Sequence, residues 1–195
     1  MRCSDQVLNK NRRITGVRQT IKNHVTTHPQ IDRQLELYLA DLTENHGSAV
    51  LAKLVLESVQ SADAARLVPQ SQGSTTERLN NPRTLLSVLT YCYGVGIYNP
   101  ADIERATEHD PVVSYLAARS YPNGDTLRQF RKDHRSLLSQ AMVRFFEQIW
   151  LFGQQGAVGE GSRYELPASL IVQFSRLAEE HILLALLWDG PALRD

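Results

Sequence analysis

The stretch PNGDTLRQFRKDHRSLLSQAMVRFFEQIWLFG, residues 122–153, decides the fold. Its large apolar side chains recur at steps of three and four residues, which places them on one face of a helix. The pattern predicts a single amphipathic helix of about 28 residues and about 42 Å, N-capped by Asp125 and ended by Gly153. The apolar face consists of Leu127, Phe130, Leu137, Leu138, Ala141, Met142, Phe145, Phe146 and Ile149, with His134 in its one gap.

A second face of this predicted helix is basic. Arg128, Arg131, Lys132 and Arg135 follow one another at i, i+3, i+4 and i+7, so we expect their side chains to form one stripe. Residues 119–135 contain five Arg or Lys against two Asp. A charged stripe is often only the solvated face of a helix, but the local positive excess favours contacts with phosphate.

The composition is that of an ordinary globular protein, because 42% of the 195 residues are hydrophobic and 22% are charged. The formal net charge is zero, yet residues 1–30 carry six Lys or Arg against Asp5 alone. Cys3 and Cys92 lack a C-x-x-C spacing, which predicts free thiols in a reducing cytoplasm. No apolar stretch is long enough to span a bilayer, so we expect a soluble chain with no membrane partner.

The N-terminal part divides into two predicted regions. Residues 1–30 are predicted to be a basic arm that contacts phosphates, although a solvated terminus is an equally good interpretation. Residues 31–75 are predicted to be a helical hairpin followed by a polar linker, with a domain boundary near residue 75. The arm residues expected to contact DNA are Arg12, Arg13, Arg18 and Lys22.

Residues 76–195 are predicted to form one helical domain. Asn81-Pro82, Asn99-Pro100 and Asp110-Pro111 are three start signals for short helices. Short helices followed by one with a basic N-terminal half resemble a helix-turn-helix arrangement, in which the last helix enters a major groove. Thr126 and Gln129, near the start of that helix, are the candidate base or sugar contacts.

A last helix is predicted from Pro167 to Trp188. Residues 182–188, ILLALLW, are apolar around the whole circumference, so this segment must be covered on every side. A second copy of the helix is the simplest cover, and folding back of residues 31–68 is the alternative. The predicted homodimer contacts are Ile182, Leu183, Leu184, Leu186, Leu187 and Trp188.

Motifs of enzymes and metal sites are missing from the sequence. It contains no Gly-rich phosphate loop, no G-x-S-x-G, no H-E-x-x-H and no Cys/His metal spacing. We therefore expect no catalytic residues, no metal and no cofactor. Since no strand pattern of convincing length is present either, the predicted fold is all-α.

Residues 82–138 contain a series of motifs in a fixed order. This series resembles the N-terminal helical domain of bacterial insertion-sequence DDE transposases, except that Asn123-Gly124 replaces the Asp-His or Asp-Phe of that family. The motifs are Leu85-Leu86-x-x-Leu89-x-Tyr91-x-Tyr93-Gly94-x-Gly96-Ile97, Ile103-Glu104-x-Ala106, Asp110, Tyr115-Leu116-Ala117, Pro122 and Thr126-Leu127-x-x-Phe130-Arg131-Lys132-x-His134.

The resemblance implies a role in binding DNA, because in that family this domain contributes to binding the ends of the element. Residues 139–195 have no counterpart of the strand-rich catalytic domain that follows it there. The expectation is therefore a transposase-derived protein that binds double-stranded DNA and lacks nuclease activity. The alternative is a helical protein-interaction module, such as a partner or inhibitor of a transposase, that binds no nucleic acid.

Overall fold

The structure, a computed structural model, describes residues 29–62, 81–118, 120–155 and 165–189. This part of the chain is helical and contains no strand. The predicted all-α fold is confirmed. A π-helical turn, Leu42–His46, lies between the first two of eight α-helices in these ranges. The α-helices are α1 (Pro29–Asp41), α2 (Ser48–Ser61), α3 (Pro82–Gly94), α4 (Pro100–His109), α5 (Pro111–Leu116), α6 (Gly124–Asp133), α7 (Arg135–Gln155) and α8 (Ala168–Leu187).

The long helix α7 is the centre of the molecule, since α1, α2, α3 and α8 all pack against it. Leu138, Met142, Phe145 and Ile149 on α7 are fully buried. These side chains are part of one continuous hydrophobic core that extends from Leu35 in α1 to Ala185 in α8. The apolar face predicted for residues 127–149 is therefore the inner face of the fold.

The predicted 28-residue helix is divided in two at His134. The backbone of His134 leaves the helical region at φ −122°, ψ 27°. Hydrogen bonding continues through the bend, because the His134 amide donates to the Phe130 carbonyl at 2.9 Å and Leu138 donates to the His134 carbonyl at 2.9 Å. The His134 ring lies against Phe130, with ring centroids 4.6 Å apart. The bend lets α6 turn away from α7 and pack on α4.

Both predicted ends of that helix are corrected by the structure. The N-cap of α6 is Asn123, whose side chain accepts a hydrogen bond from the Thr126 amide at 2.9 Å, whereas Asp125 lies within the first turn. Helix α7 continues through Gly153 to Gln155. A Cβ at position 153 would lie 2.4 Å from the ring of Tyr38 in α1, so this glycine permits a close helix contact and does not end the helix.

The three Asn-Pro and Asp-Pro start signals are confirmed. Asn81 accepts a hydrogen bond from the Arg83 amide at 3.0 Å, and Asn99 accepts one from the Ala101 amide at 3.1 Å. Asp110 accepts from two amides, those of Val112 at 2.8 Å and Val113 at 3.1 Å. In each case the proline occupies the first helical turn, where its missing N–H costs nothing.

Helices α1 and α2 follow one another through the π-helical turn and Gly47, and each packs against α7. Gly47 has φ +79°, a conformation that favours glycine, and it occupies the N-cap position of α2, which therefore has no side-chain capping bond. The predicted linker and boundary near residue 75 lie outside the described residues. Side chains from both sides of that boundary share the single core.

Candidate nucleic-acid interface

Helix α6 positions most of the predicted DNA contacts. Its inner side is fixed by Leu127 and Phe130, which are buried in the core. This leaves Gln129 and Lys132 exposed, with Thr126 half-buried near the start of the helix. Lys132 forms no ion pair with any carboxylate of the described residues. Gln129 donates to both carboxylate oxygens of Asp133, at 2.9 Å each.

Arg128 and Arg135 lie on either side of Lys132, and both are ion-paired. Arg128 donates to Asp125 at 2.6 Å, and its Nε lies 3.4 Å from a carboxylate oxygen of Asp189. Arg135, the first residue of α7, donates to Glu179 of α8 at 2.8 Å. The guanidinium groups are therefore neutralised within the chain, and the surface is less positive than the sequence predicts.

The prediction that Arg131 lies on the solvent-facing stripe is wrong. Its side chain is 1% exposed, and its guanidinium donates to the Tyr93 hydroxyl and to the Asp189 carboxylate. The Tyr93 ring also lies 5.9 Å from the guanidinium carbon. Because α6 packs against α3, this position points towards Tyr93 and away from solvent. Arg131 cannot contact phosphate from there.

Tyr93 connects this ion pair to the rest of the core. Its backbone carbonyl lies 2.7 Å from Nδ1 of His181, so that ring nitrogen carries the proton and donates. The His181 ring lies edge-on to Tyr98 and Phe146, with centroids 5.6 and 5.5 Å apart. Burial raises the pKa of the Tyr93 phenol although Arg131 acts to lower it, so the phenol stays neutral and accepts a hydrogen bond from Arg131. Helices α3, α6 and α8 are joined here.

The carboxylates that pair with the basic residues were missed by sequence reasoning. Asp189 lies 58 residues from Arg131, and Glu179 lies 44 residues from Arg135. Periodicity within one helix carries no information about such distant partners. Neither carboxylate belongs to the motif series of residues 82–138, which contains only Tyr93 and Arg131 of this cluster, and these two are bonded to each other.

Most of the motif residues that support the resemblance lie in the core. Leu86, Tyr93, Leu127, Phe130 and Arg131 are all buried. They position α3 and α6 relative to each other and do not reach the surface. The motif thus specifies mainly packing, and only its exposed members, such as Lys132, can belong to a surface that binds a ligand.

The predicted dimer contacts on α8 divide into buried and exposed residues. Ile182 is fully buried, whereas Leu183 and Leu187 are 47% and 52% exposed. Leu184, Leu186 and Trp188 are partly buried against the core, so the chain itself covers most of residues 182–188. The four predicted DNA contacts in the basic arm, Arg12, Arg13, Arg18 and Lys22, lie outside the described residues.

Comparisons with protein families, with curated proteins and with solved structures found no match to this chain. The described residues contain no group of three or more His, Cys, Asp or Glu side chains placed to hold a metal ion. None of the helices described is both long and apolar enough to cross a membrane.

Proposed function

We propose that this chain binds double-stranded DNA through the exposed side of α6, as a transposase-like helical module that does not cut DNA itself. The observation that carries the proposal is Lys132, an exposed ammonium group with no carboxylate partner among the described residues. It lies on the helix where the resemblance to the DNA-end-binding domain of transposases places its basic motif. Phosphate contacts by such groups supply most non-specific affinity for DNA.

Arg128 and Arg135 support the same proposal despite their ion pairs. Asp125, one of the two partners of Arg128, has a side chain that is 92% exposed, and the Arg135 and Glu179 side chains are 47% and 42% exposed. The Arg128 side chain itself is 24% exposed, and that of Asp189, its second partner, is 15% exposed. Exposed ion pairs such as those with Asp125 and Glu179 contribute only about 0–1 kcal/mol. A DNA phosphate can therefore replace Asp125 or Glu179 at little cost while Arg128 keeps its contact with Asp189. The three cations together then contact one strand of the backbone.

Arg131 has a different role in this proposal. It is bonded to Tyr93 and Asp189 and so fixes α6 against α3 and the end of α8. A binding surface is more precise when it is built on a helix that is itself held rigidly. Arg131 would thus orient Lys132 and Gln129 without contacting DNA, and Gln129 and Thr126 remain the proposed base or sugar contacts.

Reversal of the charges of Lys132 and Arg135 tests the proposal directly. We expect the Lys132→Glu, Arg135→Glu double variant to bind a short duplex at least tenfold more weakly than the wild type at low salt, because two attractive charges become repulsive. Lys53→Glu is the control for charge reversal away from α6, since Lys53 on α2 is a surface lysine with 74% side-chain exposure. Fluorescence anisotropy measures all three proteins. No binding by the wild type, or an equal loss in the control, contradicts the proposal.

The absence of nuclease activity is a separate part of the proposal. Metal-dependent cleavage requires carboxylates that converge on one site, and the sequence has no counterpart of the transposase catalytic domain. Supercoiled plasmid incubated with the protein and Mg²⁺ or Mn²⁺ should stay supercoiled. Nicking that disappears with EDTA contradicts this part. The cysteine content favours a reducing cytoplasm as its location.

Exposed apolar residues on α8 favour a second candidate function, a protein-interaction module. Val172, Leu183 and Leu187 are 51%, 47% and 52% exposed. We propose that a second copy of the chain covers them, so that a homodimer presents two α6 surfaces to two DNA half-sites. If protein interaction is the only function, Lys132→Glu leaves it intact while substitution of Leu183 abolishes it.

A further inference from the structure

The outward side of α8 carries a stripe that is apolar at both ends and charged in the middle. The side chains that form this stripe are four, four, three, four and four residues apart along the sequence, so they all lie within roughly 100° of the helix circumference. The stripe residues are Ala168, Val172, Arg176, Glu179, Leu183 and Leu187.

This stripe is self-complementary when it is reversed. A two-fold axis that crosses α8 between Leu177 and Ala178 brings Arg176 level with Glu179 of the second copy. The same axis brings Val172 level with Leu183 of the second copy. At the ends it brings the small Ala168 level with the large Leu187. Each of these pairs occurs twice because of the symmetry.

We propose that two copies of this chain pair through this side of α8 in an antiparallel arrangement, with two Arg176–Glu179 ion pairs between the copies. The inference rests on the self-association proposed above and is independent of DNA binding. Apolar contacts at both ends supply the driving force, since each half-exposed leucine or valine leaves water. The central ion pairs supply orientation and register.

The register is specific, because sliding one copy by a helical turn removes the complementarity. A shift of four residues in one direction places Arg176 level with Leu183 of the second copy. The opposite shift places Val172 level with Glu179. Either shift buries a charge against an apolar side chain, which is unfavourable unless the charge is paired.

Glu179 can serve both partners in this arrangement. It already accepts a hydrogen bond from Arg135 of its own chain at 2.8 Å. A carboxylate has about four acceptor sites, so it can also accept from Arg176 of the second copy. The dimer contact would then lie directly beside the start of α7, next to the proposed DNA-binding surface.

The pairing surface is one helix of 20 residues, about 30 Å long. A single helix pair belongs to the small end of protein interfaces, so we expect a dissociation constant on the order of micromolar. Sedimentation equilibrium on the full chain, from about 1 to 200 µM, covers this range. A wild type that remains monomeric throughout overturns the inference, and if it still binds DNA the proposed DNA-binding function stands.

Leu183→Glu tests the apolar part of the contact. It places two like charges in the interface, and we expect the dissociation constant to rise more than tenfold. Leu37→Glu is the matched control, because Leu37 on α1 is also a half-exposed leucine, at 56%. Association that is equally weakened in both variants overturns the assignment of the surface to α8.

A charge-exchange experiment tests the antiparallel register. Arg176→Glu and Glu179→Arg each replace two attractive pairs by two repulsive ones, so each variant alone should associate at least tenfold more weakly than the wild type. In a heterodimer of the two variants, the introduced glutamate of one copy lies opposite the introduced arginine of the other, and the unchanged Glu179 lies opposite the unchanged Arg176. We therefore expect an equimolar mixture to recover wild-type association. A mixture that associates no better than its components overturns the proposed register.

Discussion

Arg131 and Asp189 form a buried ion pair that joins α6 to the chain just beyond the end of α8. An arginine that is 1% exposed has lost its hydration, so its charge is tolerated only because Asp189 and the Tyr93 hydroxyl replace the water. The pair also places a carboxylate 3.4 Å from Nε of Arg128. One acidic residue thus orients two basic residues of α6.

We predict that Arg131→Ala lowers the free energy of unfolding by about 3–5 kcal/mol, because Asp189 is left as a largely buried charge without its main partner. The neighbouring Lys132→Ala should change it by less than about 0.5 kcal/mol, since Lys132 is exposed. Urea denaturation of both variants measures the difference. Similar small effects in the two variants would mean that the ion pair does not hold α6 in place.

Tyr91, Cys92 and Tyr93 are three consecutive buried acids whose pKa values are all raised. Burial is the largest cause in each, followed by the negative charge of Asp110 for Tyr91 and Cys92. In Tyr93, Arg131 acts in the opposite direction and only partly offsets burial. All three groups therefore remain protonated in the folded protein at a pH where they ionise in the unfolded chain.

This predicts a loss of stability in alkali. A pKa that is raised by folding contributes stability that is complete below the unfolded-state pKa and declines as pH rises above it. The free energy of unfolding should begin to decline near the thiol pKa of about 8.5 in the unfolded chain and decline more steeply near the tyrosine pKa of about 10. The slope should approach about 1.4 kcal/mol per pH unit for each group that ionises. In Cys92→Ala, the loss of stability should begin only at the higher pH at which the tyrosines ionise in the unfolded chain. Thermal unfolding between about pH 7 and 11 measures this, and an unchanged onset in Cys92→Ala would contradict it.

At the scale of helices, local signals predicted most of the helix starts, but they did not predict the Asn123 cap, the bend at His134 or the passage of α7 through Gly153. The Asn-Pro and Asp-Pro starts were confirmed because a cap acts within two or three residues of itself. Gly153 was interpreted as a stop, yet α7 passes through it to reach Tyr38 of α1. That contact spans most of the chain, so no local pattern could reveal it. The bend at His134 likewise follows from packing of α6 on α4.

We predict that Gly153→Ala destabilises the protein by about 1–2 kcal/mol. Alanine in a helix gains about 1 kcal/mol over glycine, but its Cβ would meet the Tyr38 ring, and such overpacking costs about 1–3 kcal/mol or more. Tyr38 cannot easily move, because its hydroxyl accepts from Gln154 at 2.8 Å and its ring lies edge-on to Trp150 at 5.7 Å.

Gly124→Ala is the control for this prediction. A Cβ at position 124 would have its nearest neighbour at 3.4 Å, the Cβ of Pro100, so that substitution should be nearly neutral. Urea denaturation compares the two variants. Gly153→Ala that is as stable as the wild type would show that the Tyr38 contact costs no more than the roughly 1 kcal/mol that alanine gains in a helix.

At the scale of the whole molecule, charge is distributed in blocks although the formal net charge is zero. The predicted positive block in residues 119–135 is reduced by folding, since Arg128, Arg131 and Arg135 all acquire acidic partners. The block in residues 1–30 was predicted from the same kind of count, six Lys or Arg against one Asp. Composition could locate both blocks but not the neutralisation, because Asp189 and Glu179 reach α6 and α7 only in the folded chain.

The salt dependence of DNA binding separates the contributions of these two blocks. If Arg128, Lys132 and Arg135 contact phosphates together with Arg12, Arg13, Arg18 and Lys22, seven contacts give a slope of log K against log salt of about −6. Replacing the four arm residues with alanine should reduce the slope to about −3, because only the helical cations remain. Anisotropy titrations between about 50 and 300 mM salt measure both slopes. An unchanged slope would restrict the DNA-binding surface to the helical part of the chain, and slopes near zero in both proteins would leave α8 as the functional surface.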